Sequence, residues 1–353
     1  MIRAIESLGE NGPENLIIKA TPWTPPNNWK TGYPNAGLPA YGGRLKHEHY
    51  ADYADVLADF SLQYEANMGR PLNVISVQNE PDYVPTSYES CGWTANEIRD
   101  FLKIMGPVFA AKNVDPDLRI MAPESMHLKE AMILPTLRDP EARAVLDIVG
   151  LHQYNHDEEF NMGAIELPTV KEHGLPLWQT EVSTGERNDP SIKDGVYWAK
   201  LIHLDMTVPE VNAFLYWWLW STNNDSKGNL INIRDGVLEL NKRLFTMGQF
   251  SRFIRPGWER VESDHRPIMG LYTTMYRNPE SDEFALVIVN ERNNPVDLAM
   301  NVAGVEGFQD LELWRTSATE NLELQRRGAR AEGNVLQVQS PAMSVSTVYG
   351  RVQ

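Results

Sequence analysis

Two glutamates stand where the sequence could use them for chemistry. Glu80 closes the run Leu72-Asn73-Val74-Ile75-Ser76-Val77-Gln78-Asn79-Glu80-Pro81, and Glu181 closes Leu175-Pro176-Leu177-Trp178-Gln179-Thr180-Glu181-Val182. Both are carboxylates at the carboxyl end of an apolar, strand-like run, and Pro81 stops the first run from continuing as a paired strand. Two carboxylates flanking a bond can divide the work of glycoside hydrolysis. One, with a raised pKa, protonates the leaving oxygen; the other, kept ionised, attacks the anomeric carbon or activates water. Taken singly, a Glu at a strand end is more often a solvated loop residue, but two in the same register of one repeated unit carry more weight.

Other polar tips follow the same pattern. Glu124 ends Arg119–Glu124, a third acid that competes for the same role, and Val145–Tyr154 ends in His152 and Tyr154. His152 reads equally well as a satisfied structural histidine. His47 and His49 flank Glu48, but no third ligand stands at metal-site spacing, so they read as solvated surface. Neither a metal nor a cofactor is expected.

The elements that must position these residues alternate. Leu16–Ala20 is an apolar run. Tyr50–Tyr64 carries Tyr53, Val56, Leu57, Phe60 and Tyr64 at helical spacing. Thr94–Ala110 predicts a helix with Thr94 and Glu97 as a capping box. Further helices are expected over Lys129–Leu137, Ile192–Thr207 and Asn241–Ile254, and a last strand over Asn212–Trp220. Six strand–helix units in a row point to an α/β fold, a parallel TIM-type (β/α) barrel. A doubly wound sheet is the runner-up, but no Gly-rich phosphate turn follows any strand. Beyond Arg255-Pro256-Gly257 the pattern changes to short alternating runs: Gly270–Arg277, Glu283–Asn290, Val296–Val302, Leu311–Thr316, Asn334–Val338 and Val345–Tyr349. These predict an antiparallel β-sandwich, giving a barrel over residues 1–255 and a side domain over 256–353.

Composition narrows the partners. The chain has 353 residues, and its formal net charge of −16 argues against nucleic acid or an anionic membrane surface. No stretch is long and apolar enough to span a bilayer. Ten Trp and thirteen Tyr suit sugar stacking as well as core packing. The start, Met1–Leu8, reads as an amphipathic helix fragment and not as a signal peptide. Cys91 is the only cysteine, so no intrachain disulfide forms and the compartment stays undecided.

Gln78-Asn79-Glu80-Pro81 with the later Thr180-Glu181 tip resembles the retaining glycosidases of clan A. Thr21-Pro22-Trp23-Thr24-Pro25-Pro26 with Trp29-Lys30 is similar to the Ser-Pro-Trp-Ser-Pro-Pro…Trp-Met-Lys motif of glycoside hydrolase family 30. Gly42-Gly43-Arg44-Leu45 and Gly248–Gly257 resemble that family too, the latter at its passage from barrel to side domain. The resemblance implies that Glu80 is the acid/base and Glu181 the nucleophile. It implies that Asn79 holds the sugar's 2-hydroxyl, that Tyr154 hydrogen-bonds the nucleophile, and that Trp23 and one of Trp217 or Trp218 line the subsite of the cleaved sugar. Trp29, Tyr83 and His152 join the substrate-binding set. The loop Asp82-Tyr83…Tyr88–Thr94 is similar to the xylanase branch, so the implied substrate is a polysaccharide or oligosaccharide, with β-1,4-xylan cut by an endo-acting xylanase foremost. β-1,6-Glucan, β-1,6-galactan, glucosylceramide, or a non-catalytic sugar-binding barrel are the alternatives. Ser221–Lys227 carries no arginine where the glucuronate-dependent branch uses them, and Arg234 is a distant substitute. The family barrel has eight units against six here; the Trp23 strand matches the third. An open barrel exposes sheet edges, and a homodimer partner would cover them.

Overall fold

A computed structural model describes residues 16–32, 42–85, 87–156, 161–183, 189–222 and 228–353. The expected helix fragment Met1–Leu8 lies outside them. By internal contacts the chain forms two compact units, Met1–Val182 with Pro209–Leu215, and Ser183–Val208 with Tyr216–Gln353.

The first unit holds one six-stranded sheet: β1 (Lys19–Ala20), β2 (Val74–Ser76), β3 (Arg119–Ser125), β4 (Ile148–His152), β5 (Leu177–Glu181) and β6 (Ala213–Phe214). The strands lie side by side in chain order, and every pairing is parallel. Helices such as α1 (Tyr50–Met68) and α2 (Ala95–Ala111) fill the crossovers. Unbroken chain order is the TIM-type arrangement, whereas a doubly wound sheet would reverse direction at a switch point. The two longest helices have identifiable ends. The Thr94 hydroxyl accepts from Glu97 N–H at 3.2 Å and the Glu97 carboxylate accepts from Thr94 N–H at 2.6 Å, completing the expected capping box. Gly69 ends α1 in the left-handed region, at φ 67°. Val74, Met121, Ile148 and Trp178, from four neighbouring strands, form one apolar cluster.

The helix expected from Tyr50 forms as α1, and two other expectations need correction. Val56 and Phe60 of α1 are 41% and 46% exposed. Only the Tyr53 and Leu57 side of that helix is buried, because the apolar stripe is wider than its packed face. Lys129–Leu137 is not one helix but a short 3-10 turn, Glu130–Met132, followed by Leu134–Arg138. Pro135 cannot donate a backbone hydrogen bond, so it sits in the first turn of the second piece. Asn212–Trp220 is not one strand: β6 stops at Phe214, and Trp220–Ser221 pairs instead with Ile231–Arg234 in a separate three-stranded sheet. Its aromatic run has strand propensity without burial; Leu219 and Trp220 are 53% and 54% exposed.

The second unit contains α3 (Ile192–Thr207), α4 (Lys242–Ser251) and an antiparallel β-sandwich. Leu271–Arg277, Glu283–Asn290, Phe308–Thr316 and Ser344–Val352 are strands of a six-stranded sheet; Val296–Asn301, Ala329–Glu332 and Val335–Ser340 make a three-stranded one. Leu271, Phe284, Ile288 and Leu313 of the first sheet share a core with Leu336 and Val338 of the second. No helix among the described residues is long and apolar enough to cross a membrane.

Candidate active site

The carboxyl ends of β2, β3, β4 and β5 bring four titratable side chains together. Chain direction does most of this: in a parallel sheet every strand delivers its last residue to the same rim. The remainder is local irregularity. The pairing of β4 with β5 runs Leu151 to Gln179 and then His152 to Glu181, so Thr180 is an extra residue on β5. Without that bulge His152 would face Thr180; with it, Glu181 takes the place beside the imidazole. Glu124 is a second such extra residue, on β3, between Pro123 and Ser125.

Glu80 and Glu124 both adopt positive φ, 45° and 55°, a conformation that strains a side chain larger than glycine. The surroundings hold them there. Asn79 N–H donates to the Pro22 carbonyl at 2.8 Å, and Glu80 N–H donates to the Glu124 carbonyl at 3.0 Å. Gln78, fully buried, donates to the Trp23 carbonyl at 2.7 Å and accepts from the Trp93 indole at 3.3 Å.

Glu80 is 4% exposed and has two side-chain partners. Tyr88 OH donates to its Oε2 at 2.9 Å, and His152 Nδ1 lies 3.2 Å from its Oε1. The same Nδ1 is 3.8 Å from Glu181 Oε1, which also accepts from Tyr154 OH at 3.0 Å. Burial raises the Glu181 carboxyl above its ordinary range and Glu80 adds repulsion, while the His152 charge and the Tyr154 hydroxyl oppose the rise. Ligand atoms of Glu80, His152 and Glu181 all lie within 4.8 Å of one another, close enough to hold a cation as well as a proton. His47 and His49 form no such group among the described residues; His49 stacks on Trp29 at 5.2 Å and meets Asp52 at 2.8 Å.

Glu124, the third acid, is committed elsewhere. It is fully buried, forms an ion pair with Lys19 of β1, and accepts from Thr21 Oγ1 at 2.7 Å. Burial alone would push its carboxyl up; the Lys19 ammonium, the His152 charge and the two donated hydrogen bonds hold it down at about 2. At neutral pH these partners favour its ionised form, which does not suit it as a proton donor.

Around these groups, Trp23 packs its ring 5.4 Å from that of Tyr88. Asn79 is buried beside Glu80. Tyr83 is 40% exposed and joins the rim through its N–H, which donates to the Glu80 carbonyl at 3.0 Å. Trp29 belongs to the His49 stack, and the buried Lys30 next to it ties Thr24, Gly42 and Ser90 together. Trp217 and Trp218 belong to the second unit, with their rings 5.4 Å apart. Sequence reasoning missed Tyr88, Lys19, Thr21 and Gln78. Lys19 had a signal: a cation inside an apolar strand-like run needs a buried partner.

A rim of carboxylates on a parallel β/α sheet suits a glycosidase-type centre. The model of the glycosyl hydrolase family 30 TIM-barrel domain matches residues 6–229. A glucuronoxylanase, XynC of Bacillus subtilis strain 168, is 29% identical over 351 residues, covering 98% of this chain and 76% of the relative. Among solved structures, the family 30 subfamily 8 xylanase Xyn30A of Clostridium acetobutylicum is 33% identical with a TM-score of 0.81, covering 95% of this chain and 80% of the other. A family 30 endoxylanase from Clostridium papyrosolvens C71 is 26% identical with a TM-score of 0.80, covering 99% and 82%. The chain belongs to glycoside hydrolase family 30, and it is a glycoside hydrolase.

Proposed function

We propose that this protein is a retaining endo-β-1,4-xylanase in which Glu181 is the nucleophile and Glu80 the general acid/base. One observation carries the retaining assignment: one carboxylate oxygen of Glu80 and one of Glu181 lie within 4.8 Å of each other. Retaining glycosidases hold their carboxyl groups about 5–5.5 Å apart, whereas inverting ones leave about 6.5–9.5 Å for a water.

Ionised Glu181 attacks the anomeric carbon while Glu80 passes its proton to the departing glycosidic oxygen. The C–O bond to the leaving sugar breaks as the glycosyl ester forms. Glu80, now a carboxylate, takes a proton from water, whose oxygen attacks the same carbon and releases Glu181. Burial raises the Glu181 carboxyl, against what a nucleophile needs, and the Tyr154 hydroxyl opposes that rise by donating to the charged form. Tyr88 and His152 orient Glu80 between them. The strained φ at Glu80 is repaid by the hydrogen bonds on either side of it. Catalysis in this reading belongs to residues 1–255 and the β-sandwich of 256–353 is a side domain.

The test is hydrolysis of β-1,4-xylan by Glu181→Gln and Glu80→Gln, with folding checked by thermal unfolding. Each change should lower kcat/KM by roughly three orders of magnitude or more. Undiminished hydrolysis in both variants would sink the reading. A parallel panel of β-1,6-glucan, β-1,6-galactan and glucosylceramide tests the alternative substrates. The grouping of His152 with two carboxylates also admits a bound cation, and a chelator that abolished turnover would favour that reading.

A further inference from the structure

The second unit carries a cleft of about 460 Å³ that the proposed reaction does not use. That size falls within the range of sites for small ligands, about 300–1,000 Å³. Its floor and wall are aromatic. Trp258 stacks on Tyr349, with ring planes 19° apart and centroids 6.3 Å apart. Tyr349 packs against buried Phe253 at 5.8 Å, and Phe253 against Trp314 at 5.8 Å. Trp258, Trp314 and Tyr349 are all partly exposed.

The polar groups at this cleft are held in place. Glu283 accepts from Tyr349 OH, from Asn278 Nδ2 at 3.1 Å and from Ser281 Oγ at 2.9 Å. Glu312, exposed, accepts the Trp314 indole N–H at 2.9 Å. The Arg252 guanidinium lies 4.1 Å over the Trp314 ring, covering one of its faces. Arg255 and Glu280, both exposed, complete the mouth.

We propose that this cleft is a second carbohydrate-binding site, distinct from the Glu80–Glu181 centre, that takes a short stretch of a neutral β-glycan. Three features select that ligand class. Flat rings of Trp258 and Tyr349 suit the C–H faces of pyranose rings. Arginine donors and glutamate acceptors placed around those rings suit hydroxyl groups, which need both. Two guanidinium groups and three carboxylates line the cleft together, so it presents no single-sign field for a polyanion such as a uronate-rich chain. A protein that cleaves a polymer gains from holding it at a second point, because a tethered chain meets the cleaving site at a raised effective concentration. The choice of xylan as the first glycan rests on the proposed function; the cleft itself does not.

The test uses the full chain carrying Glu181→Gln, which blocks turnover in the proposed mechanism, run in native gels containing soluble xylan, mixed-linkage β-glucan or galactomannan. A second pair of chains adds Trp258→Ala or Glu312→Gln. Glu312 is exposed and its change leaves the aromatic wall in place, so it guards against loss of fold. Losing one stacked ring should weaken binding by about three- to tenfold, and retardation should fall in both variants. In chains with Glu181 intact, hydrolysis of a short soluble xylo-oligosaccharide should be unchanged while that of insoluble xylan falls several-fold. A difference seen only on β-glucan or galactomannan supports the cleft and counts against xylan as the substrate. Equal retardation of all three chains in every glycan, each measured against its own mobility in a glycan-free gel, overturns the second site.

Discussion

His152 Nδ1 stands 3.2 Å from Glu80 and 3.8 Å from Glu181, so a single imidazole nitrogen faces both carboxylates. The ring is fully buried on β4 and cannot swing away into solvent. Its contact with Glu80 keeps that side chain in reach of Glu181 despite their mutual repulsion. Replacing His152 by Ala should cost about 1.5–3 kcal/mol of transition-state stabilisation, or roughly ten- to hundredfold in kcat/KM. Because the imidazole charge also favours ionised Glu181, the acid limb of the pH profile should move upward in the same variant. Steady-state kinetics across pH check both effects; a variant that loses activity with an unmoved profile would make His152 a packing residue.

The two glutamates should separate by kinetics rather than by loss of activity alone. An aryl glycoside with a very acidic phenol as leaving group needs no proton to depart. With such a substrate, Glu80→Ala should still form the glycosyl-enzyme ester and then stall, giving a burst of one phenolate per active site. Glu181→Ala should give no burst, since no ester can form. Stopped-flow absorbance reads the difference, and a burst from the Glu181 variant would reverse the roles.

Glu181 also sets a pH limit. Burial raises its carboxyl above the ordinary glutamate value of 4.5. The nucleophile must be ionised, so kcat/KM should fall with acidification along a limb whose midpoint lies above pH 4.5. Tyr154 donates to the ionised form at 3.0 Å. Tyr154→Phe removes that donor, so the limb should shift to still higher pH, with activity at alkaline pH falling far less than activity at acidic pH. A limb unmoved by Tyr154→Phe would mean that another group titrates there.

The strands and helices were legible because their patterns are local. Thr94 and Glu97 announced a capping box, and the carboxyl-end glutamates followed from two apolar runs. Chain order then put Glu80 and Glu181 on one rim. What could not be read was register. The bulge at Thr180 is invisible in Gln179-Thr180-Glu181, yet it decides that Glu181 and not Thr180 stands beside His152. Tyr88 was equally hidden, since it reaches Glu80 from an irregular loop that no periodicity describes. Trp220 failed for the opposite reason: its aromatic neighbours look like a buried strand, but they bury too little of themselves to be one.

Lys19 and Glu124 make the last prediction. Their ion pair joins β1 to β3, beside the backbone bond that fixes Glu80. Glu124 is fully buried, so removing its partner leaves an uncompensated charge. Lys19→Met should destabilise the protein by about 3–5 kcal/mol, and Lys19→Met with Glu124→Gln should recover much of that loss, because the neutral pair leaves no buried ion. The sign with pH follows from the depressed carboxyl. Held at about 2 in the folded protein against 4.5 as the ordinary value, Glu124 contributes its full stabilisation above pH 4.5. That contribution drains as pH falls from 4.5 towards 2, and a Glu124→Gln chain should lack this part of the acid-induced loss. Denaturant unfolding at stepped pH measures it. If Lys19→Met unfolds at the same denaturant concentration as the parent at pH 7, the pair is not what holds Glu124 in place.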